Sequence, residues 1–162
     1  MRIREFKSEQ WLPRPCAEIF AFFSAAANLD AITPPWLKFE TLTPAPIAMR
    51  GGTLIDYKLR IRGIPIRWRT EITAWDPPRR FVDEQIRGPS RVWIHEHTFE
   101  ERDGGTLMRD RVRYAVPFDW LVHGILVRPD VERIFAYRTE MLRERFSVPA
   151  DDAPHTAAPE RL

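Results

Sequence analysis

The chain has 162 residues, of which 44% are hydrophobic and 30% charged, with a formal net charge of +2 at pH 7. This length suits one domain with room for a core and an internal pocket. Basic and acidic residues are interleaved along the chain, which argues against nucleic-acid binding. Cys16 is the single cysteine, which excludes an internal disulfide framework. No apolar run approaches the roughly 18 residues of a membrane span.

The beginning of the sequence carries no targeting pattern. Residues 1–5 lack the apolar stretch of a signal peptide, so we expect a cytoplasmic protein without stable membrane insertion. Nothing in the sequence indicates a cofactor, and none is expected. The sequence leaves the oligomeric state open.

The first forty residues predict one strand followed by two helices. Residues 3–12 alternate loosely between polar and apolar side chains, which is typical of a strand. A first helix follows Pro15, because apolar residues recur at the i, i+3, i+4, i+7 spacing at Cys16, Ile19, Phe20 and Phe23. We expect Cys16 to be an inert packing residue on this stripe. A second, short helix is expected at 26–31, ending before the prolines at 34 and 35.

From residue 36 to residue 116 the dominant period is two, as in half-buried antiparallel strands. Turns rich in Gly and Pro divide this region into six strands, at 36–43, 52–61, 65–75, 80–87, 91–101 and 106–115. Apolar residues at helical spacing then predict a long helix over 130–146.

The order of these elements predicts an α+β domain over residues 1–147. The long helix would cover the apolar face of a seven-stranded antiparallel sheet. Residues 148–162 are rich in Ala, Pro and Asp and lack periodicity, which predicts a disordered tail.

Six segments carry a recognisable local pattern: 28–39 (NLDAITPPWLKF), 75–85 (WDPPRRFVDEQ), 88–89 (GP), 93–99 (WIHEHTF), 110–118 (DRVRYAVPF) and 134–138 (IFAYR). Together they resemble the SRPBCC superfamily, which includes START lipid-transfer domains, birch-pollen-allergen-like proteins and polyketide cyclases. The resemblance implies a helix-grip fold, in which the sheet wraps around the C-terminal helix and leaves a cavity between them. One fold hosts many functions, so the resemblance alone does not define a reaction.

Strand pairing predicts which side chains face that cavity. A turn at 88–90 and a two-residue turn at Gly104-Gly105 give the pairs Phe81–His97, Asp83–His95, Gln85–Trp93, Phe99–Asp110 and His97–Val112. The resulting face is mostly apolar with a few polar groups, as in a small-molecule pocket. With residues from neighbouring strands and the last helix, the candidate ligand-binding residues are Tyr57, Trp68, Phe81, Asp83, Gln85, Trp93, His95, His97, Phe99, Met108, Asp110, Val112, Tyr114 and Arg138.

The polar members of this set allow several roles. Arg138 lies on the apolar side of the last helix, so its charge needs Asp83, Asp110 or an anionic ligand as a partner. His95, His97 and Asp110 are the catalytic candidates, with a histidine as general base oriented by the carboxylate. A structural hydrogen bond explains the same residues, and no nucleophile is evident. The two histidines could also ligate a metal with Asp83 or Asp110, but no third ligand has a clear spacing, and we expect no metal.

We therefore expect a protein that binds a hydrophobic small molecule, such as a lipid, a quinone or a polyketide-like aromatic, in an internal cavity. The alternative is a polyketide cyclase, aromatase or dehydratase that uses a cavity histidine as general base. The apolar segment 120–127 has three open interpretations, which are a cap on the cavity, a lid hinged at Gly124, and a patch that contacts a membrane or a second copy.

Overall fold

Seven antiparallel strands form one sheet in the computed structural model, which describes residues 2–147. The strands are β1 (Arg4–Leu12), β2 (Glu40–Thr41), β3 (Leu54–Ile61), β4 (Ile64–Asp76), β5 (Arg80–Arg87), β6 (Val92–Arg102) and β7 (Gly105–Ala115). Their order across the sheet is β1-β7-β6-β5-β4-β3-β2, so the first strand of the chain pairs with the last. The tail predicted at 148–162 lies outside the described residues.

The segment between β1 and β3 differs most from the prediction. Helix α1 (Cys16–Ser24) is present, but the expected second helix is replaced by two 3-10 turns, Ala26–Asn28 and Asp30–Ile32. The strand expected at 36–43 is reduced to the two residues of β2. Pro35–Leu37 forms a third 3-10 turn, and Lys38 follows it in the left-handed region with φ of 44°. Extended backbone therefore begins only after this left-handed residue.

The chain after β7 is helical over a longer stretch than predicted. A short helix α2 (Asp119–Val122) leads through a π-helical turn (His123–Val127) into α3 (Arg128–Arg145). Pro129 stands at the start of α3, directly after the π-helical turn, and it has no N–H to continue the regular hydrogen-bond ladder there. The buried residues of α3 recur at helical spacing and face the sheet: Val131, Phe135, Arg138 and Leu142. The predicted α+β helix-grip architecture is thus confirmed.

The hairpin between β6 and β7 pairs with a register two residues away from the predicted one. The turn residues are Asp103 and Gly104, with φ of 52° and 74°, because Arg102 pairs with Gly105. Both positive angles fit the mirror-image turns that hairpins prefer. The predicted Phe99–Asp110 and His97–Val112 pairs are therefore wrong: the observed partners are Phe99 with Met108 and His97 with Asp110. A shift of two keeps every side chain on its predicted face, because strands have a period of two.

The two faces of the sheet have opposite chemistry. On the outer face, Arg109 and Arg111 of β7 form ion pairs with Glu9 and Glu5 of β1. On the inner face, α1 packs on β6 and β7 through Phe20, whose ring centroid lies 5.4 Å from that of Phe99. Helix α3 covers another part of this face. The space left between these two covered regions is where the cavity lies.

Candidate functional site

A cavity of about 1120 Å³ lies between the inner face of the sheet, α3 and the 3-10 turns. Its wall is mainly apolar, which is the usual composition of a small-molecule site. Eight of the fourteen candidate residues border it: Tyr57, Trp68, Phe81, Asp83, Trp93, His95, His97 and Arg138.

The other six candidates do not border the cavity, and each has another partner. Gln85 turns away because its amide donates to the carbonyl oxygen of Ser90 at 2.6 Å, and this replaces the predicted pairing with Trp93. The remaining five are buried in the core beneath α1, beneath α3 or behind the histidines: Phe99, Met108, Val112, Tyr114 and Asp110. Strand alternation places residues on a face, but it does not tell which part of that face a helix covers.

Part of the cavity wall was not predicted. The 3-10 turns contribute Leu29, Ile32, Trp36 and Leu37, and α3 contributes Ile134. The helical spacing of Ile134 after Val131 was an available signal, since neighbours at i+3 share a helix face. The short 3-10 turns have no comparable periodicity, so the sequence offered no signal for their wall residues.

Two tryptophans form a continuous part of the cavity wall. The rings of Trp68 and Trp93 lie 5.4 Å apart at an interplanar angle of 88°, which is the edge-to-face arrangement that aromatic rings favour. The Trp68 indole N–H donates to Thr70 Oγ1 at 3.2 Å. This pair presents a rigid aromatic surface to anything inside the cavity.

Four polar residues, which we call the His–Asp cluster, lie together beside this wall: Asp83, His95, His97 and Asp110. His95 Nε2 lies 2.7 Å from Asp110 Oδ1, and His97 Nε2 lies 3.0 Å from Asp83 Oδ2. Because both carboxylates only accept, each Nε2 is the donor. His97 Nδ1 is also 3.0 Å from Asp110 Oδ1, but this contact is out of line for a hydrogen bond. Strand pairing of Asp83 with His95 and of His97 with Asp110 brings the four together.

The environment shifts the pKa values of these groups in different directions. Burial lowers the pKa of His95, and the neighbouring His97 lowers it further. Burial also opposes charge on His97, but contacts with Asp110 and Asp83 outweigh it and raise the pKa of His97. Burial acts against Asp110 too, yet Arg138 and the two histidines hold the pKa of Asp110 well below its usual range. The neighbouring opposite charges thus favour the charged forms of Asp110 and His97, whereas burial favours the neutral form of His95.

Arg138 is buried without a direct partner. Only 9% of the residue is exposed, and its Nε has no hydrogen-bond partner among residues 2–147. Its guanidinium carbon lies 5.2 Å from the ring centroid of Phe23 and 5.7 Å from that of Phe135. The carboxylates of Asp110 and Asp83 attract it through space without a direct ion pair. Arg138 also borders the cavity, and a buried cation without a directly paired anion is costly.

The apolar segment after β7 forms one end of the cavity. Val122, Leu126 and Val127 border the cavity, whereas Trp120 and Ile125 are 84% and 73% exposed. The segment therefore closes part of the cavity with one side and presents a second apolar side outward. Among the described residues, no helix is long and apolar enough to cross a membrane.

The chain belongs to a family described as polyketide cyclase / dehydrase and lipid transport, whose model matches residues 12–142. Solved structures with the same fold include the Zhui aromatase/cyclase from Streptomyces sp. R1128, which is 17% identical and has a TM-score of 0.71. That match covers 90% of this chain and 94% of the other. Another is the ginseng major latex-like protein 151 from Panax ginseng, at 10% identity and a TM-score of 0.66, covering 89% and 97% of the two chains. A search of curated proteins gives no significant match.

At these identities the solved structures establish the fold, and the family model establishes membership in the SRPBCC superfamily. The family description spans both catalysis and lipid transport, so it does not assign one activity to this chain.

Proposed function

We propose that the protein binds a hydrophobic small molecule with one oxygen-bearing polar end, such as a lipid, a quinone or a polyketide-like aromatic. The observation that supports this most is the position of Arg138, which borders a mainly apolar cavity and forms no ion pair among residues 2–147. The apolar part of the ligand would lie against Trp68 and Trp93, and its polar end would accept from the guanidinium.

Burial of apolar surface would supply most of the binding free energy. A ligand that buries about 300 Å² of apolar surface gains about 7.5 kcal/mol before the costs of ordering. The hydrogen bond to Arg138 would orient the ligand and discriminate against molecules without a polar end, because such molecules leave the cation unpaired.

Native mass spectrometry of the gently purified full chain tests the proposal directly, together with titration of 8-anilinonaphthalene-1-sulfonate. This probe joins an apolar ring system to an anionic sulfonate, so it matches the cavity and Arg138. We expect a co-purifying mass or saturable one-to-one binding of the probe. A native mass equal to that of the chain alone, together with weak probe binding that does not saturate, would contradict the proposal.

A matched pair of substitutions locates the probe. Ala26 borders the cavity, whereas the neighbouring Ala27 is exposed and does not. We expect Ala26→Phe to weaken probe binding about tenfold or more by filling the cavity, and Ala27→Phe to leave it unchanged. The control Trp120→Ser removes exposed apolar surface and should also leave it unchanged. Equal affinity in all three variants would place the probe outside the cavity and contradict the proposal.

The cyclase or dehydratase alternative makes a different prediction for the same experiment. A ligand extracted from the protein and incubated with fresh protein should keep its mass if the protein only binds it. Loss of water from that ligand, dependent on the protein, would show catalysis and contradict a purely binding function.

A further inference from the structure

We propose that Asp83, His95 and His97 form a binding site for a divalent transition-metal ion of the Zn²⁺ type in the cavity wall. One ligand atom from each residue lies within 4.8 Å of the others. Asp83 Oδ2 is 3.0 Å from His97 Nε2 and 3.7 Å from His95 Nδ1. Bonds of about 2.1 Å to a common ion would place such atoms about 3.0–3.4 Å apart, so small side-chain movements suffice. His97 Nε2 donates to Asp83 in the metal-free protein, so binding of the ion would displace this proton to solvent.

His95 offers a lone pair that nothing else uses. Its Nε2 donates to Asp110, so in this tautomer Nδ1 carries the lone pair. Among residues 2–147, Nδ1 makes no hydrogen bond, and its closest carboxylate contact is Asp83 Oδ2. Only 6% of His95 is exposed. An unused imidazole lone pair 3.7 Å from a carboxylate oxygen is an arrangement that a cation between them would satisfy.

Asp110 has the position of a carboxylate that supports metal-binding histidines. Its Oδ1 lies 2.7 Å from His95 Nε2 and 3.0 Å from His97 Nδ1, the nitrogens that would not bind the ion. Histidine ligands usually donate their other ring N–H to a carboxylate, which fixes the tautomer and the ring orientation. Asp110 already accepts from His95 Nε2, and His97 Nδ1 would donate to the same carboxylate once its ring turns into line.

The geometry leaves room for further ligands on the cavity side. The Asp83 side chain is 22% exposed, and Asp83, His95 and His97 all border the cavity. An ion held by two imidazoles and a carboxylate keeps open positions, as non-structural metal sites do. The ion would balance Asp83 and Asp110, and Arg138 would add a positive charge, so an oxygen anion is the favoured additional ligand. The proposal stands independently of the hydrophobic ligand.

Equilibrium dialysis of the full chain against Zn²⁺, with the metal measured by mass spectrometry, tests the site. We expect about one ion per chain at saturation. His95→Ala and Asp83→Ala should each weaken the stoichiometric site at least a hundredfold, and Asp110→Asn should weaken it about 10–100-fold. Co²⁺ added in place of Zn²⁺ should give a visible absorption spectrum that the same substitutions abolish.

The chain provides a histidine control. His123 contacts Tyr114 at 3.0 Å, away from the cluster. His123→Ala should leave the site intact. Circular dichroism and thermal unfolding show whether each variant folds. Asp83→Asn, at the most exposed ligand, provides a second test if Asp83→Ala does not fold. Absence of Zn²⁺ binding in the wild type, or its persistence in folded Asp83 and His95 variants, would overturn the proposal.

Discussion

Replacing Arg138 by methionine should affect stability and ligand binding very differently. Methionine keeps much of the side-chain volume and removes both the charge and the unused donor. Removing a buried, unsatisfied polar group gains about 1–3 kcal/mol. This gain is opposed by the lost through-space attraction to Asp110 and Asp83. We therefore expect Arg138→Met to change the free energy of unfolding by no more than about 1 kcal/mol in the ligand-free protein.

Thermal unfolding measures the first part of this prediction. For a domain of this size, 1 kcal/mol corresponds to about 2–4 °C, so the melting temperature should move by no more than about 4 °C. A direct buried ion pair would behave otherwise, because loss of one partner costs about 3–5 kcal/mol. A fall of 8 °C or more would refute our conclusion that Arg138 lacks a direct protein partner.

Fluorescence titration with 8-anilinonaphthalene-1-sulfonate measures the second part. A hydrogen bond from a charged donor contributes about 1.5–3 kcal/mol, so the dissociation constant should rise about 10–150-fold in Arg138→Met. Arg143→Met is the matched control, because Arg143 lies on the same helix, is exposed and does not border the cavity. Unchanged probe affinity in Arg138→Met would mean that the guanidinium does not orient ligands.

Three further predictions concern the fold. Leu142 is the fully buried residue near the end of α3, so Leu142→Ala should lower the free energy of unfolding in urea by about 2–5 kcal/mol, and a loss below about 1 kcal/mol would contradict its place in the core. Burial raises the pKa of the Cys16 thiol, so a thiol reagent should label it only after unfolding, and rapid labelling of native protein would show that it is accessible. Gly104 has φ of 74°, so Gly104→Ala should lower the free energy of unfolding by about 1 kcal/mol in the same urea assay. Gly51 lies outside the left-handed region and no atom lies near its added Cβ, so Gly51→Ala should have little effect. Equal effects of the two substitutions would contradict the turn assignment.

Periodicity predicted the sheet well because its central strands have one buried and one solvated face. Alternation within β5, β6 and β7, together with the pairing predicted from the turns, placed Asp83, His95 and Asp110 on the same face. The turn between β6 and β7 was placed one residue late, because Gly104-Gly105 and Asp103-Gly104 are both acceptable two-residue turns. The assignment of residues to the inner face was unaffected by this error, because a register shift of two residues keeps each side chain on the same face.

The local sequence pattern gave wrong secondary structure where tertiary packing determines the backbone conformation. Residues 36–43 alternate like a strand, but the preceding prolines and the left-handed Lys38 divert the chain into a 3-10 turn. The sequence also could not tell that Phe99 and Met108 lie under α1, since that depends on where the helix crosses the sheet. It correctly placed Arg138 on the buried side of α3. It predicted a contact between a histidine and Asp110, but it could not show that this contact would leave the guanidinium without a direct partner.

The aromatic wall of the cavity has a practical consequence for spectroscopy. The chain has six tryptophans, and three of them, Trp36, Trp68 and Trp93, border the cavity. A molecule entering the cavity would displace water from these indoles and change the emission of half of the protein's dominant fluorophores. The perpendicular indoles of Trp68 and Trp93 are close enough to couple optically, so near-ultraviolet dichroism should respond to occupancy as well. Ligands can therefore be screened with unlabelled protein by its intrinsic tryptophan fluorescence.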